Sequence, residues 1–226
     1  MVLNRRQICA GLGLAVLAPV TLRAAPLREG FLAESGKRSG WPLVLALLVA
    51  EDPDAHNRRI AELRRLTGFE RPLRYTSTDR HKAEFAAALV DHFLAAGDLR
   101  LSAIVAADDL RIWPKVADKG AVIGALRRTL IREAGAADLV VHFRPTLPTG
   151  SEPPSHLAEL TGFLAGCIRG EATGVGHPLK ASLIGHLRQG LGIGSLAEAA
   201  GPKLTARRIA IASLAPSVPA STQGSA

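Results

Sequence analysis

The chain has little of what usually announces a stapled, metal-holding or nucleotide-binding domain. Two cysteines, Cys9 and Cys167, occur among 226 residues, which excludes the dense disulfide framework of small secreted scaffolds. The seven histidines form neither a His-Glu-x-x-His helix nor a clustered zinc spacing, so a dedicated zinc site is not expected. No Gly-x-Ser-x-Gly elbow is present for a serine hydrolase. Glu34-Ser35-Gly36-Lys37 falls short of a phosphate loop, because Gly30 stands one residue too far from Gly36 and Arg38 takes the place of the magnesium-binding hydroxyl. Gly190-Leu191-Gly192-Ile193-Gly194 lacks the spacing of a dinucleotide fingerprint and follows no clear strand, and it reads as a flexible connection. No internal repeat is evident.

What is present suits one α/β domain with a sizeable core, at 47% hydrophobic content. The net charge of +8 leaves room for an anionic partner such as nucleic acid. Part of that charge lies in the first 24 residues. Arg5-Arg6 precede a Gly- and Ala-rich apolar stretch over residues 10–20, too short to span a bilayer, and Leu22-Arg23-Ala24 supplies a small-residue end. The paired arginines resemble a twin-arginine signal, the type that exports folded proteins. The expected address is therefore periplasmic or secreted, with a cytoplasmic one if the segment is not used. A buried N-terminal helix is the alternative, which Pro19 disfavours. A cut after Ala24 removes Arg5, Arg6 and Arg23 and no acid, so the charge falls to +5. It also leaves Cys167 alone, inside an apolar helical pattern where packing is its expected role. No membrane span is expected beyond the signal.

Periodicity then orders the domain, 28–214, ahead of a small polar tail, 215–226, that reads as disordered. Strands are expected at 28–34 and 41–50 as a hairpin, the second apolar on both faces like a central strand. Asp52 and Pro53 open a helix that runs to Gly68. Its outer face carries Arg58, Arg59, Arg64 and Arg65, most simply a solvated face and also the candidate anion-binding set. A short strand is expected at 73–77, a helix through Ala96, a strand at 101–106 and a helix at 114–134. A strand at 138–143 follows, with His142 inside it as a core histidine. A helix capped by Ser155 runs to about Arg169. A helical piece at 180–190 and a strand at 207–212 complete a mixed α/β sheet.

Carboxylates near strand ends are the remaining chemistry. Two-metal phosphoryl transfer needs three or four acids converging from separate elements, because each magnesium or manganese takes hard oxygen ligands. Glu34, Asp108, Asp109, Glu152 and Glu159 are the contributors available.

Phe31-Leu32-Ala33-Glu34-Ser35-Gly36 opens the domain, the apolar run 43–49 follows, and Arg71-Pro72-Leu73-Arg74-Tyr75 comes after a helix. Residues 102–106 form a later apolar run, and Phe163-Leu164-Ala165-Gly166 lies in a late helix. Over 28–170 this order resembles the DUF3800 family, a domain of unknown function with a ribonuclease H-like fold. Its first strand ends Tyr-Ile-Asp-Glu-Ser-Gly and its last helix carries Leu-Gln-x-Ala-Asp-Leu-Leu-Ala-Gly. The resemblance implies a ribonuclease H-like mixed sheet with an N-terminal hairpin and flanking helices. It also implies divalent-metal acids at positions that here are Ala33, Pro72 and Gly162, none of which has a side-chain oxygen. Glu34 matches a family residue, but strand alternation turns it to the opposite face from position 33. Glu159 lies one helical turn before Gly162 and is the residue placed to compensate. The expectation is an exported domain that kept the sheet and lost the chemistry, with no cofactor and a binding or structural role. The alternative is a magnesium- or manganese-dependent nuclease whose acids have moved to Asp108, Asp109 and Glu159.

Overall fold

The computed structural model describes residues 28–36, 42–73, 75, 80–106, 119–143, 155–174 and 177–210. Residues 1–24, expected as an export signal, and residues 215–226, expected as a disordered tail, lie outside them. Among the described residues, five strands form one sheet: β1 (Glu29–Ser35), β2 (Leu43–Ala50), β3 (Arg100–Ala106), β4 (Val140–Phe143) and β5 (Leu204–Ile209), in the order β4-β1-β2-β3-β5. The helices described around it are α1 (Pro53–Leu66), α2 (Arg80–Ala95), α3 (Lys119–Glu133), α4 (His156–Thr173) and α5 (Pro178–Leu191). The sheet is mixed, as expected. β2 is antiparallel to β1 and β3, while β4 is parallel to β1 and β5 to β3. The four mutually parallel strands therefore end along one edge.

Sequence pattern explains the centre of the sheet. Every residue of β2 is buried, because Leu, Val or Ala at each position suits a strand packed on both faces. Alternation divides it between two cores. Val44, Ala46 and Leu48 join Phe31, Leu101 and Ala103 against α1, α2, α4 and α5. Leu45 and Leu47 join Leu32, Ile104 and Ile209 against α3, through Val122, Leu126 and Leu130. The hairpin expected at the start is present, with Ser35 opposite Val44. Gly36 leaves β1 with φ of 103°, and a Cβ there would stand 2.6 Å from the Pro42 carbonyl oxygen, so glycine is required.

Helix ends follow capping chemistry with one exchange of partners. The Asp52 side chain accepts the Ala55 amide at 2.9 Å, and Pro53 occupies the first turn of α1. Ser155 does stand at the N-cap of α4, but its hydroxyl makes no capping bond. Asn57 of α1 takes that role, accepting the Leu157 amide at 3.1 Å and the Ser155 hydroxyl at 3.2 Å. An orphan amide is satisfied equally well by a side chain from another helix.

Four expectations are corrected. No strand forms at the described members of 73–77: Leu73 is irregular and Tyr75 sits in a 3₁₀ turn. The Leu73 amide is donated to the Glu159 carboxylate instead of to a neighbouring strand. His142 is not a core histidine, since β4 is an edge strand and the side chain is 46% exposed, paired with Glu29 at 2.8 Å and stacked on Phe31. The last strand begins three residues early, because Leu204 and Ala206 carry the inward alternation and pair with Leu101 and Ala103. Residues 190–194 are not a flexible connection: Gly190 packs inside α5 against Leu94, and Gly192 stops the helix. Gly192 has φ of 65°, with the Gly192 and Ile193 amides bonded back to Gln189 and Arg188.

Candidate functional site

Glu34 lies near the end of β1 opposite Leu45, on the same face as Leu32. That face looks at α3. Arg127, from the middle of α3, donates Nε to Glu34 Oε1 at 2.7 Å and adds a second bond from Nη2 to the same oxygen. The guanidinium also lies over the Phe143 ring, 5.3 Å from its centroid. The Glu34 side chain keeps 10% exposure. Its charge is thus met in a fork that joins β1, α3 and β4. Ala33 points the other way, as alternation requires, and is buried.

Glu159 sits in the first turn of α4, on the opposite side of the sheet, with its side chain 4% exposed. One oxygen accepts the Leu73 amide, and the other accepts Arg64 Nη2 at 2.5 Å. Burial alone pushes such a carboxyl up. The neighbouring His156, the Leu73 amide and Arg64 together outweigh burial and hold it below the ordinary range. His156 Nδ1 stands 4.0 Å away, beyond hydrogen-bond reach, so the amide and the arginine carry the effect. Arg64 is committed as well. It donates to the carbonyls of Phe69 at 3.1 Å and Arg71 at 2.6 Å, and it lies over Phe69 and Phe85 at 5.6 and 4.7 Å.

The structure therefore keeps the two described candidate carboxylates apart. Glu34 serves the α3 side and Glu159 the α4 side, and a sheet lies between them. Asp108, Asp109 and Glu152 fall outside the described residues. Among the described residues no three His, Cys, Asp or Glu side chains gather as a metal-ligand group. The arginine set divides too: Arg64 turns inward, Arg59 pairs with Glu62 at 2.5 Å, and Arg58 and Arg65 are exposed.

The glycines of α4 have a packing role. A Cβ on Gly166 would stand 2.4 Å from Tyr75 Cβ, and one on Gly170 would stand 2.1 Å from Tyr75 Oη. The ring of Tyr75 lies along the helix where no side chain stands. Burial, with Cys167 beside it, raises the phenol well above its ordinary value. Cys167 itself is fully buried, and burial raises its thiol likewise. Packing is its role, as its place in an apolar helix suggests.

A second constellation is absent from the sequence reading. His56, on the buried stripe of α1 with Ile60 and Leu63, places Nδ1 3.1 Å from His92 Nε2 of α2 and Nε2 2.8 Å from Asp98 Oδ2. The signal for it was the histidine at position 56, one turn before Ile60 on the apolar face. A polar residue there needs a partner.

These features describe a mixed α/β domain in which the two described candidate acids, Glu34 and Glu159, serve internal ion pairs. No family model, curated protein or solved structure matches the chain. Among the described residues no helix is long and apolar enough to cross a membrane.

Proposed function

We propose that this chain is an exported, ribonuclease H-like domain related to the DUF3800 family that acts by binding or as a structural element, without metal-dependent catalysis. The observation that carries this reading is the separation of Glu34 and Glu159 onto opposite faces of the sheet, each closed by an arginine. A two-metal site needs carboxylates converging on shared ions. Here each charge is matched by a guanidinium before any cation arrives.

The mixed sheet with its opening hairpin and flanking helices supports the ribonuclease H-like reading. The Phe31–Gly36 motif at the end of β1 supports the DUF3800 relation, and alanine at position 33 supports the loss of chemistry. Exposed Arg58 and Arg65 on α1 are the groups proposed to meet an anionic partner, nucleic acid included. Arg5-Arg6 and the short apolar stretch after them support export. Two assays test the proposal. Incubation of the purified chain with single- and double-stranded RNA and DNA in magnesium or manganese is expected to leave every substrate intact. Cleavage abolished by Asp108→Asn or Asp109→Asn would replace the proposal with a relocated nuclease.

A further inference from the structure

His56, His92 and Asp98 form a hydrogen-bonded chain across three parts of the fold: the first turn of α1, the last turn of α2, and the turn that leads into β3. His56 is buried, at 7% exposure. Asp98 Oδ2 accepts from His56 Nε2 at 2.8 Å, so a neutral His56 keeps its hydrogen on Nε2 and presents a bare Nδ1 to His92. His92 Nε2, 3.1 Å away, then donates its hydrogen to that lone pair.

Two facing imidazole nitrogens at this separation are attractive only when one hydrogen lies between them. One extra proton on the pair is tolerated, since either ring can be the donor and the Asp98 carboxylate offsets the charge. A second proton puts hydrogens on both facing nitrogens and two cations in contact. The other charged groups facing His92 make this worse: Arg59 of α1 and Lys203, which precedes β5, are both cationic, and only Asp98 opposes them. Lys203 is held in place by its bond to the Ala96 carbonyl and by the Phe93 ring, 5.0 Å from its amine.

We propose that the His56–His92 contact is an acid-sensitive clip that fastens the first turn of α1 to the end of α2 and opens when a second proton enters the pair. The strength of the clip follows the ionisation of His92. Burial first, then the His56, Arg59 and Lys203 charges, lower it from 6.5 to about 4. Between those values the unfolded or opened chain binds more protons than the closed one, so the clip is at full strength above about pH 6.5 and weakens as pH falls toward 4.

The test is a residue-resolved histidine titration of the full chain by NMR, with hydrogen exchange of the amides in the first turn of α1 followed from pH 7 to pH 4. The clip predicts that His92 titrates near 4 and that first-turn protection, corrected for intrinsic exchange, falls by up to about tenfold per pH unit across the window. His92→Gln keeps a donor or acceptor for His56 without a titrating ring, and its first-turn protection is expected to stay level. A His92 titration near 6.5, or an acid loss in His92→Gln equal to the parent's, overturns the proposal. If the variant does not fold, the titration of the parent chain decides alone.

Discussion

A buried carboxylate is a liability unless its oxygens are occupied, and Glu159 has both occupied by protein donors. Replacing it with alanine leaves the Arg64 charge and the Leu73 amide unmatched. Breaking such a buried pair costs about 3–5 kcal/mol, readable as a lowered midpoint in urea unfolding. Glu159→Gln keeps an acceptor for the amide and is expected to lose less. Because the folded carboxyl lies below its ordinary 4.5, its contribution is complete above that value and is lost as pH falls through the lowered one. Gly166→Ala tests the seat of Tyr75. Alanine gains about 1 kcal/mol of helix propensity over glycine, but its methyl would meet the root of the Tyr75 side chain at 2.4 Å, and overpacking costs about 1–3 kcal/mol. The clash is expected to win, giving a net loss measured by thermal unfolding. The facing of Glu34, opposite to that of Ala33, was legible, because strand alternation is a local rule. The partner of Glu159 was not, since Arg64 lies 95 residues away in the chain and no local rule brings them together.

Elements were legible where hydrophobic period and punctuation agree. The fully apolar run of β2 marked a central strand, and Asp52-Pro53 marked the start of α1 to the residue. Failures came where a long-range partner replaced a local one. The 73–77 stretch has strand-like composition, yet its described backbone amide at Leu73 is satisfied by a helix side chain. Ser155 stands at the right place for a cap, yet Asn57 does the capping. The central strand also yields a prediction of its own. Leu47 is fully buried between β1, β3 and α3, so Leu47→Ala is expected to cost about 2–5 kcal/mol. Equilibrium denaturation checks this, and a loss under 1 kcal/mol would mean that the α3 side of the sheet packs loosely.

For the whole molecule, the sheet order sets what the chain can do. β1, β3, β4 and β5 end along one edge, and Asp108 and Asp109, outside the described residues, come after β3 in the sequence. The two described candidate acids do not meet at that edge: Glu34 is tied to Arg127 of α3, and Glu159, in the first turn of α4, is tied to Arg64 and the Leu73 amide. N-terminal sequencing of the protein from its native host is expected to begin at Ala25, and an intact Met1 would remove the export proposal. The proposal that Glu34 and Glu159 are taken up by internal ion pairs and that the domain works without a catalytic metal is tested most directly by calorimetric titration of the purified chain with magnesium and with manganese, paired with the nuclease assay on the same sample. No site of millimolar or tighter affinity and no cleavage are expected; millimolar-or-tighter binding accompanied by cleavage would overturn the proposal.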